Sequence, residues 1–150
     1  MKPYPPFADR DIPQDLTLAS FRLRWLTPAD VEQDYIAVME SEAELMAEFG
    51  RTWPKGLTLE DNRLDLAWHQ REFEAKRSYA WIIEDAGTGA YLGCAYVYPD
   101  WSPTGPMEAW WWFRTSVAET VDRAAFRQIF LDWLGGPPWP SLPIMVEQTG

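Results

Sequence analysis

Apolar and charged residues alternate through 21–26, Phe-Arg-Leu-Arg-Trp-Leu, the period of a half-buried strand. Thr27 then precedes Pro28, an N-cap followed by a proline suited to the first helical position. The helix predicted from there runs to about residue 40, with Val31, Tyr35, Val38 and Met39 on one face. A second, short helix covers 41–49 and stops at Gly50, and residues 51–57, with Trp53-Pro54-Lys55-Gly56, read as a loop. Thr58, with Asp61 three residues on, opens a long helix to about residue 77. That helix carries two apolar stripes. Leu59, Leu66 and Phe73 recur every seven residues, and Leu64, Trp68 and Ala75 lie on nearly the opposite side. One stripe must meet the sheet; the other needs a further helix or another subunit.

Residues 79–84 and 91–98 are rich in aromatic and β-branched side chains around the turn signal Asp85-Ala-Gly-Thr-Gly89, which predicts a hairpin. After a proline-bearing loop at 99–106 come a strand at 107–113 and a helix at 117–134. Ser116 would cap that helix, with Glu119 at the capping-box position. Gly135-Gly-Pro-Pro-Trp-Pro140 ends it, and 144–146 is a last short strand. Residues 1–16 hold Pro3, Pro5, Pro6 and Pro13 and read as an extended arm pinned by Tyr4 and Phe7. No linker divides the 150 residues, so one domain is expected.

Ten tryptophans are too many to bury completely in a chain of this length, so some are expected along a groove or an oligomer face, or simply half exposed. The net charge of −10 disfavours nucleic acid and anionic lipid; it would attract cationic amines, or serves solubility alone. No Lys or Arg lies between Pro28 and Gly50, a stretch with seven acidic residues. Cys94, the single cysteine, forms no internal disulfide and reads as a small buried hydrophobe. The opening residues lack the apolar core of a signal peptide, and no apolar run could span a bilayer, so a cytoplasmic location is expected.

The order β-α-α-α-β-β-β-α-β resembles the GNAT N-acetyltransferase superfamily. The carrying segments are Leu23-Arg-Trp-Leu-Thr-Pro-Ala-Asp30, the hairpin with Leu92-Gly93, and residues 107–134. The resemblance implies an α/β (α+β) fold, a mixed, mainly antiparallel sheet flanked by helices. It also implies acetyl-CoA as acyl donor and a small amine as acceptor. The family's turn carries Arg/Gln-x-x-Gly-x-Gly/Ala, whose amides hold the pyrophosphate. Ala118 falls at the first position here, and Val121 and Arg123 take the glycine positions. By this correspondence Trp112, Phe113, Arg114, Ala118, Arg123 and Ala124 border the cofactor, with Arg114 and Arg123 as phosphate contacts. Side chains in place of glycine crowd the approach of phosphate, and Glu119 repels it. The family usually continues with a helix and two strands, whereas Glu147-Gln-Thr-Gly150 alone follows Val146, so a C-terminally truncated member is expected.

Acyl transfer needs a base, an oxyanion donor and close positioning. Glu108, beside the tryptophan run, is the candidate base, against the alternative of an exposed carboxylate at a strand end. The oxyanion donor would be a backbone N–H near Trp112 or Phe113. His69, the one histidine, reads as a solvated or hydrogen-bonded helix residue, and no metal site is expected because strong zinc sites use several His or Cys ligands. Trp110 and Trp112 face one side of their strand and Trp111 the other, either as core on both faces or with one face lining a groove. A non-catalytic binding or assembly domain of the same fold is the alternative to an enzyme, and the second stripe of the long helix allows a homodimer.

Overall fold

The computed structural model describes residues 1–50 and 52–147; Arg51, where the loop was expected to begin, and 148–150 lie outside the described residues. Six strands form one sheet in sequential order: β1 (Asp15–Leu18), β2 (Phe21–Trp25), β3 (Tyr79–Asp85), β4 (Tyr91–Pro99), β5 (Met107–Phe113) and β6 (Ile144–Val146). All neighbours are antiparallel except β5 and β6, which run parallel and pair only over Met107–Ala109. β6 ends at Val146, and the Glu147 amide still donates to the Ala109 carbonyl at 3.1 Å.

Both faces of the sheet are covered, which is why the central strands are apolar at nearly every position. Odd-numbered Trp81, Ile83, Trp111 and Phe113 meet Phe126, Phe130 and Leu134 of α4 (Arg123–Leu134). Even-numbered Ile82, Cys94, Tyr96 and Trp112 meet α1 (Val31–Glu40), α2 (Glu42–Phe49) and α3 (Leu59–Glu74) through Val38, Leu45 and Leu66. The alternation expected for Trp110 to Trp112 is therefore present. Thr27 caps a 3-10 turn at Pro28–Asp30 that leads into α1, and Thr58 with Asp61 forms the capping box of α3. Gly93 is required by the sheet itself. A Cβ there would lie 1.9 Å from the Trp112 carbonyl oxygen and 2.9 Å from Phe113 Cα.

Three expectations need correction. The arm at 1–16 is not wholly extended: Pro5–Phe7 is a 3-10 turn, and its end starts β1, whose Asp15 pairs opposite Arg24. Tyr4 and Phe7 do pin it, both being fully buried, and the Tyr4 hydroxyl donates to the Ser102 carbonyl. The long helix ends at Glu74, and Leu59 in its first turn is exposed, as are Leu64 and Trp68 of the second stripe. The last helix begins at Arg123, not 117. Asp122 caps it by accepting from the Ala125 amide at 3.0 Å, whereas Ser116 and Glu119 do not form the expected box. Residues 117–121 form turns instead, with Thr120 and Val121 amides on the Val117 carbonyl. Among the described residues no helix is long and apolar enough to cross a membrane.

Candidate functional site

A cavity of about 240 Å³ opens between the helical layer and the sheet, beside the end of β6. At about 30 Å³ per water it holds a small molecule. Trp110, the first β5 residue beyond the paired stretch, and Glu147, the first residue after β6, both line it. Tyr96 and Tyr98 of β4 continue the aromatic floor. The Trp110 and Tyr96 rings stack with centroids 4.0 Å apart. Trp53 from the loop before α3, and Trp68 and His69 on α3, close the other walls. Three of the ten tryptophans are thus spent on one concave surface, as the excess of that residue suggested.

The polar groups of the cavity are acidic or neutral. Asp34 of α1 lies at its base, 3% exposed. It accepts from the Tyr91 hydroxyl, from Asn62 Nδ2 at 2.8 Å and from Cys94 Sγ at 3.6 Å. These are neutral donors, and no cation neutralises Asp34 among the described residues. Burial raises its pKa, and the three hydrogen bonds only partly offset that. Asp65 stands exposed at the mouth, its pKa raised by desolvation and by Asp61 and Asp34. His69 is half-buried against Tyr96, at 5.5 Å between ring centroids, and desolvation pushes its imidazole down to about 4. It is therefore neutral at pH 7 and is a wall of the cavity; of the two expectations, solvated or hydrogen-bonded, the solvated one does not hold. Among the described residues no Lys or Arg lines the space.

At the β5-to-α4 junction, by contrast, a carboxylate is neutralised by a cation. Residues 114–122 form the junction loop, and the chain's own side chains already take up part of it. The Ser116 amide donates to Glu40 Oε2 at 3.0 Å, and the Thr115 amide donates to Ser41 Oγ at 3.0 Å. Arg114 forms an ion pair with the same Glu40 carboxylate. Burial opposes ionisation of Glu40, but hydrogen bonds from Arg114 and Ser116 outweigh it and hold the carboxyl below its ordinary value. Glu40 ends α1, where a negative charge meets the negative end of the helix dipole, so the pairing with Arg114 also relieves that conflict. A hollow of about 220 Å³ beside this loop is lined by Glu44, Glu48 and Glu119 against a single guanidinium, Arg123.

The structure separates the residues that the sequence singled out. Glu108 lies on the same β5 face as Trp110, across from Tyr98 and Met145, but is not part of the cavity wall. Trp112 is core, its Nε1 donating to the Tyr96 hydroxyl at 3.2 Å, and Phe113 packs against Phe126 with centroids 5.4 Å apart. Arg114 is engaged by Glu40. Ala118 and Arg123 border the acidic hollow, where Arg123 Nε donates to the Ala118 carbonyl at 3.3 Å, and Ala124 sits exposed in the first turn of α4. Sequence reasoning missed Asp34, Asn62, Asp65 and the cavity role of His69. The signal was there: Asp34 is four residues before Val38 on the apolar face of α1. On α3, Asn62 and His69 share the buried stripe with Leu66 and Phe73.

No protein-family model matches the sequence, and no curated protein sequence matches it. Solved structures do. One is RimL, the ribosomal L7/L12 alpha-N-protein acetyltransferase in complex with coenzyme A. It is 12% identical with a TM-score of 0.65, over 81% of this chain and 67% of that one. Another is the microcin C7 self-immunity acetyltransferase MccE in complex with acetyl-CoA and AMP, 10% identical, TM-score 0.66, over 83% and 68%. A third is the ribosomal-protein-S5-alanine acetyltransferase from Vibrio fischeri, 11% identical, TM-score 0.64, over 83% and 68%. The chain spans about two-thirds of the length of these structures. With its strand order, its parallel β5/β6 pair and these matches, the chain has the fold of the GNAT N-acetyltransferases.

Proposed function

We propose that this chain is an N-acyltransferase-like protein that keeps the amine-holding half of that machinery: it binds a small amine in the cavity between α1, α3 and the sheet. One observation carries the reading. The cavity joins aromatic walls to a buried carboxylate, Asp34, whose partners among the described residues are neutral. A protonated amine entering there meets π-faces and unneutralised charge together. The acidic surface favours such a ligand over nucleic acid or anionic lipid. A cytoplasmic location and a homodimer through Leu64 and Trp68 accord with the chain's composition and with that exposed stripe.

The residues present do not suit a pyrophosphate at the junction. In the turn that corresponds to the family's motif, the Ala118 amide donates to the Thr115 carbonyl and the Thr120 and Val121 amides to the Val117 carbonyl; just before it the amides at 115 and 116 are taken by Ser41 and Glu40, and carboxylates line the adjacent hollow. No acyl-transfer step is therefore derived through acetyl-CoA. The second reading is an acetyl-CoA-dependent N-acetyltransferase acting on the same amine. It is favoured by the end of β6 at Val146 beside the cavity, which leaves 110–113 of β5 without a strand on that side among the described residues. Calorimetric titration with acetyl-CoA, followed by an acetyl-transfer assay over a panel of primary amines, separates the two. Amine binding with no acetyl-CoA binding at millimolar concentration is the result expected. Micromolar acetyl-CoA affinity with turnover overturns the first reading in favour of the second, and no binding of any amine ends both.

A further inference from the structure

The cavity is more particular than an amine site in general. Asp34 supplies charge but little hydrogen-bonding capacity. Its Oδ1 already accepts from Tyr91 and Cys94, and its Oδ2 from Asn62. A bare ammonium brings three N–H donors that each need an acceptor, and burying them unmatched is costly. Most of the remaining wall is apolar or aromatic, with Tyr96, Tyr98, Trp110, Trp53 and Trp68 beside Leu26, Val38 and Leu66, and Glu147 adds a further carboxylate. His69 is neutral and adds no repulsion. Such a surface matches a cation whose charge is spread over carbon. A metal ion is the poorer match, because among the described residues no three His, Cys, Asp or Glu side chains are grouped to hold one.

Resting on the reading of this cavity as the amine site, we infer that its ligand is an alkylated, hydrophobic organic monocation. An ammonium carrying methyl or larger substituents and one aromatic or aliphatic arm is the chemistry that fits, held by the Asp34 charge and the Tyr96, Trp110 and Trp68 walls. Asp65 at the mouth adds a second attractive charge and repels the carboxylate of a zwitterion, so amino acids and peptide termini are rejected.

The probe is benzyltrimethylammonium, which cannot be acylated, titrated into the full chain without acetyl-CoA and followed by calorimetry and tryptophan fluorescence. Neopentylbenzene, its neutral isostere, and phenylalanine, a zwitterion, are the comparisons. Saturable binding of the cation, at least about tenfold tighter than either comparison, is expected. Asp34→Asn should weaken it at least about tenfold, and Asp65→Asn, at an exposed site that does not bear on folding, about threefold. Equal binding of cation and isostere, or unchanged affinity in Asp65→Asn and in a folded Asp34→Asn, overturns the inference. Binding of primary amines without binding of benzyltrimethylammonium overturns it too, while leaving the amine-site reading standing.

Discussion

Replacing Glu40 with alanine tests whether the junction is closed by the chain's own carboxylate. Glu40 accepts from Arg114, from the Ser116 amide at 3.0 Å and from Ser116 Oγ at 3.4 Å. The two paired side chains are only 26% and 20% exposed, so the contact is partly shielded from water. Hydrogen bonds to a charged group contribute about 1.5–3 kcal/mol when shielded, and exposure trims this to about 1–2 kcal/mol. For a chain of this size that lowers Tm by roughly 2–8 °C. The same substitution vacates the Ser116 amide, frees the Arg114 guanidinium and removes a negative charge that an anion on either group would meet at a contact separation of about 4 Å. At that distance a unit charge is worth about 1 kcal/mol in water and about 4 kcal/mol near a protein surface. Affinity for inorganic pyrophosphate and for acetyl-CoA should therefore rise at least about fivefold. Thermal melts and calorimetry at fixed ionic strength read both effects. A variant that melts lower yet binds either anion no better than the parent would refute the reasoning, because the contact would then have been released without creating an anion site.

Other consequences follow from single contacts. Gly93→Ala forces a methyl to within 1.9 Å of the Trp112 carbonyl, so β4 and β5 must shift; a loss of about 3 kcal/mol or outright misfolding is expected in urea titrations. Asp122→Ala should cost about 1 kcal/mol as the loss of a true N-cap, and amide exchange should be slow from 126 onward but fast at 118–121; equal protection across 117–134 would restore the longer helix. His69 has its folded pKa lowered from 6.5 to about 4, so the unfolded chain binds the proton first as pH drops. Its contribution is fully present above about pH 6.5 and is lost toward pH 4, with an upper limit of about 3 kcal/mol. Equilibrium unfolding against pH should show that slope, and His69→Phe should lack it.

Much of the fold was legible because the sheet and its caps are local decisions. Thr27-Pro28 and Thr58 with Asp61 announced helix starts with bonding partners three residues away or fewer, and both formed. The strand at 107–113 matched to the residue because its apolar run is bounded by a proline-bearing loop before it and a polar turn after it. The start of the last helix was misjudged for a non-local reason. Ser116 has a capping residue's chemistry, but its amide and hydroxyl are both drawn to Glu40, seventy-six residues earlier in the chain. No window of sequence contains that competition. β1 was missed because two exposed and two half-buried residues, Asp-Leu-Thr-Leu, carry little pattern until β2 lies alongside.

The site was less legible than the fold, and the residues explain why. Asp34, Asn62 and His69 each sit where a helix should be apolar, and each alone reads as a minor irregularity in a core face. Together they are one wall, because α1 and α3 bring Asn62 Nδ2 to 2.8 Å from Asp34. The acidic run from Asp30 to Glu48 divides in the same way. Asp34 turns inward to an aromatic cavity without a neutralising cation, while Glu40 turns toward the junction and takes Arg114 for itself. Net charge alone merged these two carboxylates into one acidic surface. Their surroundings give them opposite consequences: one leaves a charge for a cation to satisfy, and the other fills the amides an anion would need.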